Sequence, residues 1–207
     1  MLASRLAARL EIVEIAQPHL GDLVETFRES AYLAVLRGGK GVFVDVRDAH
    51  RDFRLIGPLG AEVHYHATAA GKAMAAFFPA EIRASLLDPS NLATVTRRTV
   101  TDPARIDGEW AAVRERGFAL NDEETMVGAA FVAAPIFDAG GTVCGSLSLG
   151  VPKARFSVEL SRRIAEHIKA ACRRLSEELR ALGYRHVGGL DQLQLHYPDS
   201  QRKTLYA

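Results

Sequence analysis

Residues Phe118–Pro152, FALNDEETMVGAAFVAAPIFDAGGTVCGSLSLGVP, decide the fold. Asp138-Ala-Gly-Gly141 separates two apolar runs, and Gly with Asp at a short connection is a hairpin signal. Ala129–Phe137 is apolar on both alternations, as expected of a strand covered on both faces. The run after the turn is asymmetric. Val143, Leu147, Leu149 and Val151 share one face, while Thr142, Cys144, Ser146, Ser148 and Gly150 share the other. Pairing Phe137 with Thr142 across the turn sets Phe131 opposite Ser148, Ala133 opposite Ser146 and Ala129 opposite Gly150. A face of Ser, Gly, Ala and one aromatic fills space poorly. It is either the floor of a cavity, with hydroxyls aimed into it, or the bed of a close-packed helix.

Around that hairpin the chain has room for one domain of ordinary size: 207 residues, 48% hydrophobic and 25% charged. A formal net charge of +1 offers no electrostatic footprint for nucleic acid or an anionic membrane. The two cysteines, Cys144 and Cys172, form no CxxC pair and no disulfide framework, which points to a reduced, cytoplasmic protein. No apolar run approaches a transmembrane length, and Arg5, Arg9 and Glu11 interrupt the N-terminus, so it does not read as a secretory signal.

Leu2, Leu6, Leu10 and Val13 recur at helical spacing, predicting a helix over residues 3–16. Pro18 opens a second, to about Glu29, with Leu20, Leu23, Val24 and Phe27 as its stripe. Ala31–Leu36 and Val42–Val46 read as strands around an Arg37-Gly-Gly-Lys40 turn, and Asp52–Ile56 as a further strand before Gly57-Pro-Leu-Gly60. A helix should begin near Thr68, a capping residue, and another run from Pro79 to Leu87. Residues 88–101 read as loop. Asp102-Pro103 starts a helix ended by Gly117, and Ser157 caps a long helix ended by Gly183, after which residues 184–207 form a tail. Strands joined by hairpins with helices between them predict an α+β fold, an antiparallel sheet with helices on both faces. The terminal helices should cover the Val143/Leu147/Leu149/Val151 face. The helices of residues 67–116 should lie over or beside the small polar face.

Chemistry is sparse. The first amides of the helix after Thr68, at Ala69, Ala70 and Gly71, have no partner within the helix and carry small side chains, a suitable cradle for a carboxylate or phosphate. Gly71 also lets that end approach a neighbouring backbone closely. Asn121-Asp-Glu-Glu124 is an acidic turn that could do acid–base work, although such a run is more often solvated, and no activated nucleophile accompanies it. His64 and His66 alternate on an extended segment without a metal-binding spacing. Lys72 could neutralise an anion; the plainer expectation is a surface lysine. No GxGxxG, P-loop, GxSxG, HExxH or CxxC pattern occurs, and no catalytic, metal or cofactor-binding residue is assigned.

Five ordered blocks, HATAAGKA (66–73), RRTVTDPARI (97–106), RERGFALNDEE (114–124), VGAAFVAAPIFDAGG (127–141) and SLSLGVP (146–152), resemble the C-terminal effector-binding domain of the isocitrate lyase regulator (IclR) family of bacterial transcription factors, over about residues 3–182. The resemblance implies a GAF-like (profilin-like) fold with a small-molecule pocket and homodimers or homotetramers. It also implies a separate N-terminal winged helix-turn-helix for DNA, joined through a linker helix whose end would be residues 1–16; residues 17–183 would be the effector domain. Such a chain is a ligand sensor and not an enzyme, needs no cofactor, and meets DNA only through the domain absent from it. It would be either an excised domain or a regulator without its reader. The family's pocket positions correspond here to Ala69, Ala70, Asn121, Phe131, Ser148 and Gly150, with the adjoining Gly71 amide. Leu55 and Val63 are candidate apolar wall, or ordinary core. Relatives that sense small keto acids typically carry Asp, a small residue such as Cys, and Ser where this chain has Asn121, Phe131 and Gly150. The expected effector is therefore larger and flatter, an aromatic or bulkier carboxylate stacked on Phe131 with its acid at the Ala69–Gly71 amides and Ser148. The competing readings are an enzyme using Glu123 or Glu124 in the same pocket, and a ligand-free dimerisation module.

Overall fold

A computed structural model of the chain describes residues 2–49, 55 and 59–186. The expected strand at Asp52–Ile56 lies outside the described residues, apart from Leu55. Five strands, β1 (Ser30–Arg37), β2 (Lys40–Arg47), β3 (Ala119–Asp122), β4 (Ala129–Phe137) and β5 (Val143–Pro152), form one antiparallel sheet in the order β2-β1-β5-β4-β3. The helices are α1 (Leu2–Phe27), α2 (Ala69–Ala75), α3 (Ala80–Leu86), α4 (Pro103–Arg116) and α5 (Val158–Ala181). On one face α1 and α5 pack against the sheet and each other. On the other, α2 lies across β3, β4 and β5 and is backed by α4.

Helix α1 runs unbroken through Pro18, where the composition predicts two helices. Proline removes the bond to the carbonyl four residues earlier, and here both Pro18 and Glu14 lie on the exposed side of the helix. The stripe Ile12, Ala16, Leu20, Leu23, Val24 and Phe27 stays buried throughout against Leu147, Leu149, Val151 and the α5 stripe Ile164, Ile168, Leu175 and Leu179. One continuous apolar seam outweighs one missing hydrogen bond.

The other caps follow the sequence. Thr68, Asp102 and Ser157 accept at the N-termini of α2, α4 and α5, from Gly71, Arg105 and Leu160 respectively, and Gly117 ends α4 in the left-handed conformation (φ 79°). The β1–β2 turn places Gly38 and Gly39 at φ 55° and 79°, the conformation a tight hairpin demands.

The central hairpin is real, but its register is shifted by two residues from the expected one. Phe131 faces Gly150, Ala133 faces Ser148 and Pro135 faces Ser146. Two offsets of one residue add up: Phe137 pairs with Val143 in place of Thr142, and a bulge then leaves Cys144 as an extra residue before Ile136 pairs with Gly145. An even shift keeps Ser146, Ser148 and Gly150 on their expected face. The bulge does change the faces of Cys144 and the residue before it. Val143 joins the cluster beneath α2 and Cys144 enters the α1/α5 core, the reverse of strict alternation.

Asp138 shapes the turn. Its Oδ1 accepts from the Gly140 and Thr142 amides at 2.8 and 3.0 Å, and Oδ2 accepts from the His186 amide at 3.1 Å. The Ala139 amide donates to the Tyr184 carbonyl, so the residues after α5 dock on this hairpin. Asp138→Ala should lower stability by about 1–2 kcal/mol in urea denaturation and speed hydrogen exchange at Gly140, Thr142 and His186.

Candidate functional site

The α2-facing side of the sheet is built in rows. Asn121, Phe131, Gly150 and Ser30 form one row; Ala119, Ala133, Ser148 and Tyr32 the next; Pro135, Ser146 and Ala34 the third. All three serines, Tyr32 and Asn121 are buried. Over them lies α2, AAGKAMA, all seven residues of which are buried. Small side chains on both sides make this close approach possible. At Gly71 a Cβ would collide with the His64 carbonyl oxygen, a backbone atom, so glycine is required there.

The structure brings together Ala69, Ala70, Asn121, Phe131, Ser148, Gly150 and Leu55. Phe131 lies on Gly150: a Cβ at 150 would stand 2.7 and 3.0 Å from the phenyl Cε1 and Cδ1, and 3.2 Å from Leu55 Cδ1. Tyr32 completes an aromatic wall, 6.1 Å from Phe131 between ring centroids, and its hydroxyl donates to the Leu55 carbonyl at 2.8 Å. Burial, ahead of its charged neighbours, pushes this phenol above its ordinary pKa. Val63 belongs to the same apolar cluster but sits beside Gly41 and Met74. Of the three cradle amides, that of Gly71 is already engaged by the Thr68 hydroxyl at 2.9 Å.

Asn121 has its amide fully committed. Nδ2 donates to the Ala67 carbonyl at 3.0 Å and to Thr125 Oγ1 at 2.7 Å, while Oδ1 accepts from the Glu124 amide at 3.0 Å. It thereby pins the approach to α2 onto the acidic turn. Lys72 is no surface residue: it is 3% exposed, and its ammonium donates to Glu124 Oε1 at 2.6 Å. Burial raises the Glu124 carboxyl above its ordinary pKa, while Lys72 acts in the opposite direction. The turn is held from outside as well. Thr96 and Thr99 hydroxyls donate to the Glu123 and Glu124 carbonyls, and Arg98 pairs with Asp122 and Glu123.

A cleft of about 430 Å³, lined by His66, Lys72, Arg105, Ile106, Glu109 and Glu124 among others, opens on the α4 side of this pair. His64 and His66 stand 5.8 Å apart between ring centroids, and His66 Nε2 lies 3.0 Å from the Ala93 carbonyl oxygen. Burial, then His66, lowers the His64 pKa to about 4. Among the described residues no group of three or more His, Cys, Asp or Glu is placed to hold a metal. Both thiols are buried, and burial raises their pKa values.

Sequence reasoning missed Tyr32 and the burial of Lys72. Tyr32 reaches the site only because β1 pairs with β5, a contact between segments more than a hundred residues apart. Strand β3 was hidden for a related reason: four residues ending in Asn-Asp carry no strand signal until β4 pairs with them.

The sheet order, with helices on both faces and a short helix over a small-residue row, places the chain in the GAF-like class of α+β domains. Its sequence matches the family described as "Bacterial transcriptional regulator IclR C-terminal" over residues 4–177, and the chain belongs to that family. It is 33% identical over 174 residues to the HTH-type transcriptional regulator BhcR of Paracoccus denitrificans, covering 84% of this chain and 62% of that protein. It is 28% identical over 159 residues to the transcriptional repressor IclR of Escherichia coli, covering 76% of this chain and 58% of the repressor. An IclR transcriptional regulator from Silicibacter sp. TM1040 superposes with a TM-score of 0.81 at 26% identity, covering 86% of this chain and 70% of that one. The Thermotoga maritima IclR does so at 0.77 and 28%, covering 82% and 68%. The chain thus spans about three-fifths of the curated regulators it matches.

Proposed function

We propose that this chain is the effector-binding portion of a transcriptional regulator, taking a small carboxylate between α2 and the sheet to control DNA binding by a separate domain. The observation that carries the reading is the buried α2-facing surface itself. Serine hydroxyls, a glycine and an aromatic wall converge under a helix of small residues, which suits a compact ligand with one polar end and one flat apolar part. Phe131, where a small residue would leave room for a keto acid, favours an aromatic or bulkier acid lying against its ring. The homologous regulators support a sensing role over a catalytic one, as does the mutual engagement of Lys72, Asn121 and the acidic turn. Effector binding would then bias the packing of domains, within a homodimer or homotetramer, by about 1–3 kcal/mol, the usual scale of allosteric coupling.

A thermal-shift screen of the chain against aliphatic and aromatic carboxylates tests this. A ligand at about a hundred times its Kd should add roughly 2.7 kcal/mol of stability. The effect should be confined to one chemical class and be diminished in both Ser148→Ala and Phe131→Ala. Carboxylates that leave the melting temperature unchanged throughout would favour a dimerisation module instead. Turnover of a bound acid, lost on changing Glu123 or Glu124, would favour an enzyme.

A further inference from the structure

Ser146 is fully buried, at 0% exposure, and its hydroxyl has no hydrogen-bond partner. Its neighbours across the sheet explain why. Ala34 on β1 and Pro135 on β4 flank it, and neither side chain carries a polar atom. An unpaired buried hydroxyl costs on the order of 1–3 kcal/mol, so its presence calls for a partner that arrives from elsewhere.

The arrangement along β5 says what that partner is. Ser146, Ser148 and Gly150 alternate onto the α2-facing side, and the Gly150 end is closed by Phe131 and Leu55, both within van der Waals reach of where a side chain would begin. Tyr32, beside Ser148, has its proton committed to the Leu55 carbonyl. The other polar groups at that end are engaged as well: Ser30 Oγ accepts from the Ala49 amide, and Asn121 is bonded to Ala67, Thr125 and Glu124. The unspent hydroxyl lies at the other end. Residues two apart on a strand stand about 7 Å from each other. A carboxylate, with two acceptor oxygens, suits two hydroxyl donors spaced in this way.

We infer that Ser146 is an effector-contacting residue: the acid of the ligand sits between the Ser146 and Ser148 hydroxyls, and its carbon skeleton points along β5 towards Phe131 and Leu55. This rests on the effector-domain reading above and names the subsite within it. It also gives the Phe131/Gly150 pair a specificity role. The ring occupies the space over Gly150 and so moves the polar subsite one step along the strand.

The test measures binding of benzoate, phenylacetate and butyrate, each beside its neutral amide, to the chain and to Ser146→Ala, Ser146→Cys and Ser148→Ala by isothermal calorimetry, with melting curves of each protein alone. The expected result is that at least one carboxylate binds and its amide does so far more weakly. Ser146→Ala should weaken the acid about tenfold, while its own melting temperature is unchanged or higher because an orphan hydroxyl has gone. Ser146→Cys, a weaker donor of similar size, should fall between. Unchanged affinity in Ser146→Ala beside weakened binding in Ser148→Ala would overturn the Ser146 subsite and leave the effector reading standing. A fall in melting temperature with no change in affinity would make Ser146 a packing residue only. Failure of all three carboxylates to bind the unaltered chain would overturn both.

Discussion

Lys72→Met should destabilise the chain by about 4 kcal/mol at neutral pH, the largest effect expected of any single change near the site. The ammonium and the Glu124 carboxylate are both well shielded, with side-chain exposures of 4% and 13%, so removing the cation leaves an unpaired charge in a poorly hydrated place. The pH dependence identifies the cause. Burial already raises the Glu124 pKa, and a group whose folded pKa is raised contributes stability that is present at low pH and lost as pH rises through the folded value. Lys72 limits that loss; without it the deficit should grow from pH 5 to pH 8. Urea denaturation of Lys72→Met, Glu124→Gln and the double variant at both pH values checks this. The double variant should recover most of the stability, since it carries no charge to strand. A deficit equal at both pH values, with no recovery in the double variant, would show that Lys72 acts through packing alone. The pair joins α2 to the acidic turn, so such variants should also disturb whatever α2 covers.

Acid should destabilise the fold through His64, by ~3 kcal/mol. His64, with its pKa lowered from 6.5 to about 4 chiefly by burial, is held neutral in the folded chain. The unfolded chain takes up a proton below pH 6.5, whereas the folded chain resists until about pH 4. The His64 contribution is therefore fully present above about pH 6.5 and is lost progressively as pH falls through 4. His66 is shifted in the same direction, again mainly by burial, and adds to the effect. Denaturation between pH 7.5 and 4, compared with His64→Gln, isolates the imidazole from the carboxylates that titrate below it. The variant should show a shallower slope between pH 6.5 and 4. Parallel slopes would mean that His64 is protonated as readily in the folded chain as in the unfolded one.

These two effects share an origin in the segment from His64 to Lys72, where every side chain is buried and four of them are polar. In sequence that segment is only a capped run of small residues. Nothing local marks its lysine as interior, because the partner that makes burial tolerable is Glu124, fifty-two residues away. Asn121 is similar. The acidic turn is visible in its composition, but Asn121 becomes a clamp only when Ala67 and Thr125 are brought to its amide.

By itself the sequence determined what short-range physics governs. Apolar runs and side-chain period marked β1, β2, β4, β5 and the buried stripe of α5; Thr68, Asp102 and Ser157 marked helix starts; glycines and Asp138 marked the turns. The parity of Ser146, Ser148 and Gly150 put them on one face, and that survived a two-residue error in register because side chains alternate with a period of two. Tertiary structure decided everything that depends on who sits opposite. The bulge at Cys144 exchanged Val143 and Cys144 between the two cores. The pairing of β1 with β5 brought Tyr32 to Ser148, and packing of α1 against α5 carried one helix through Pro18. Pairing and burial energies come from contacts between distant segments, so they exist only once the chain has closed on itself.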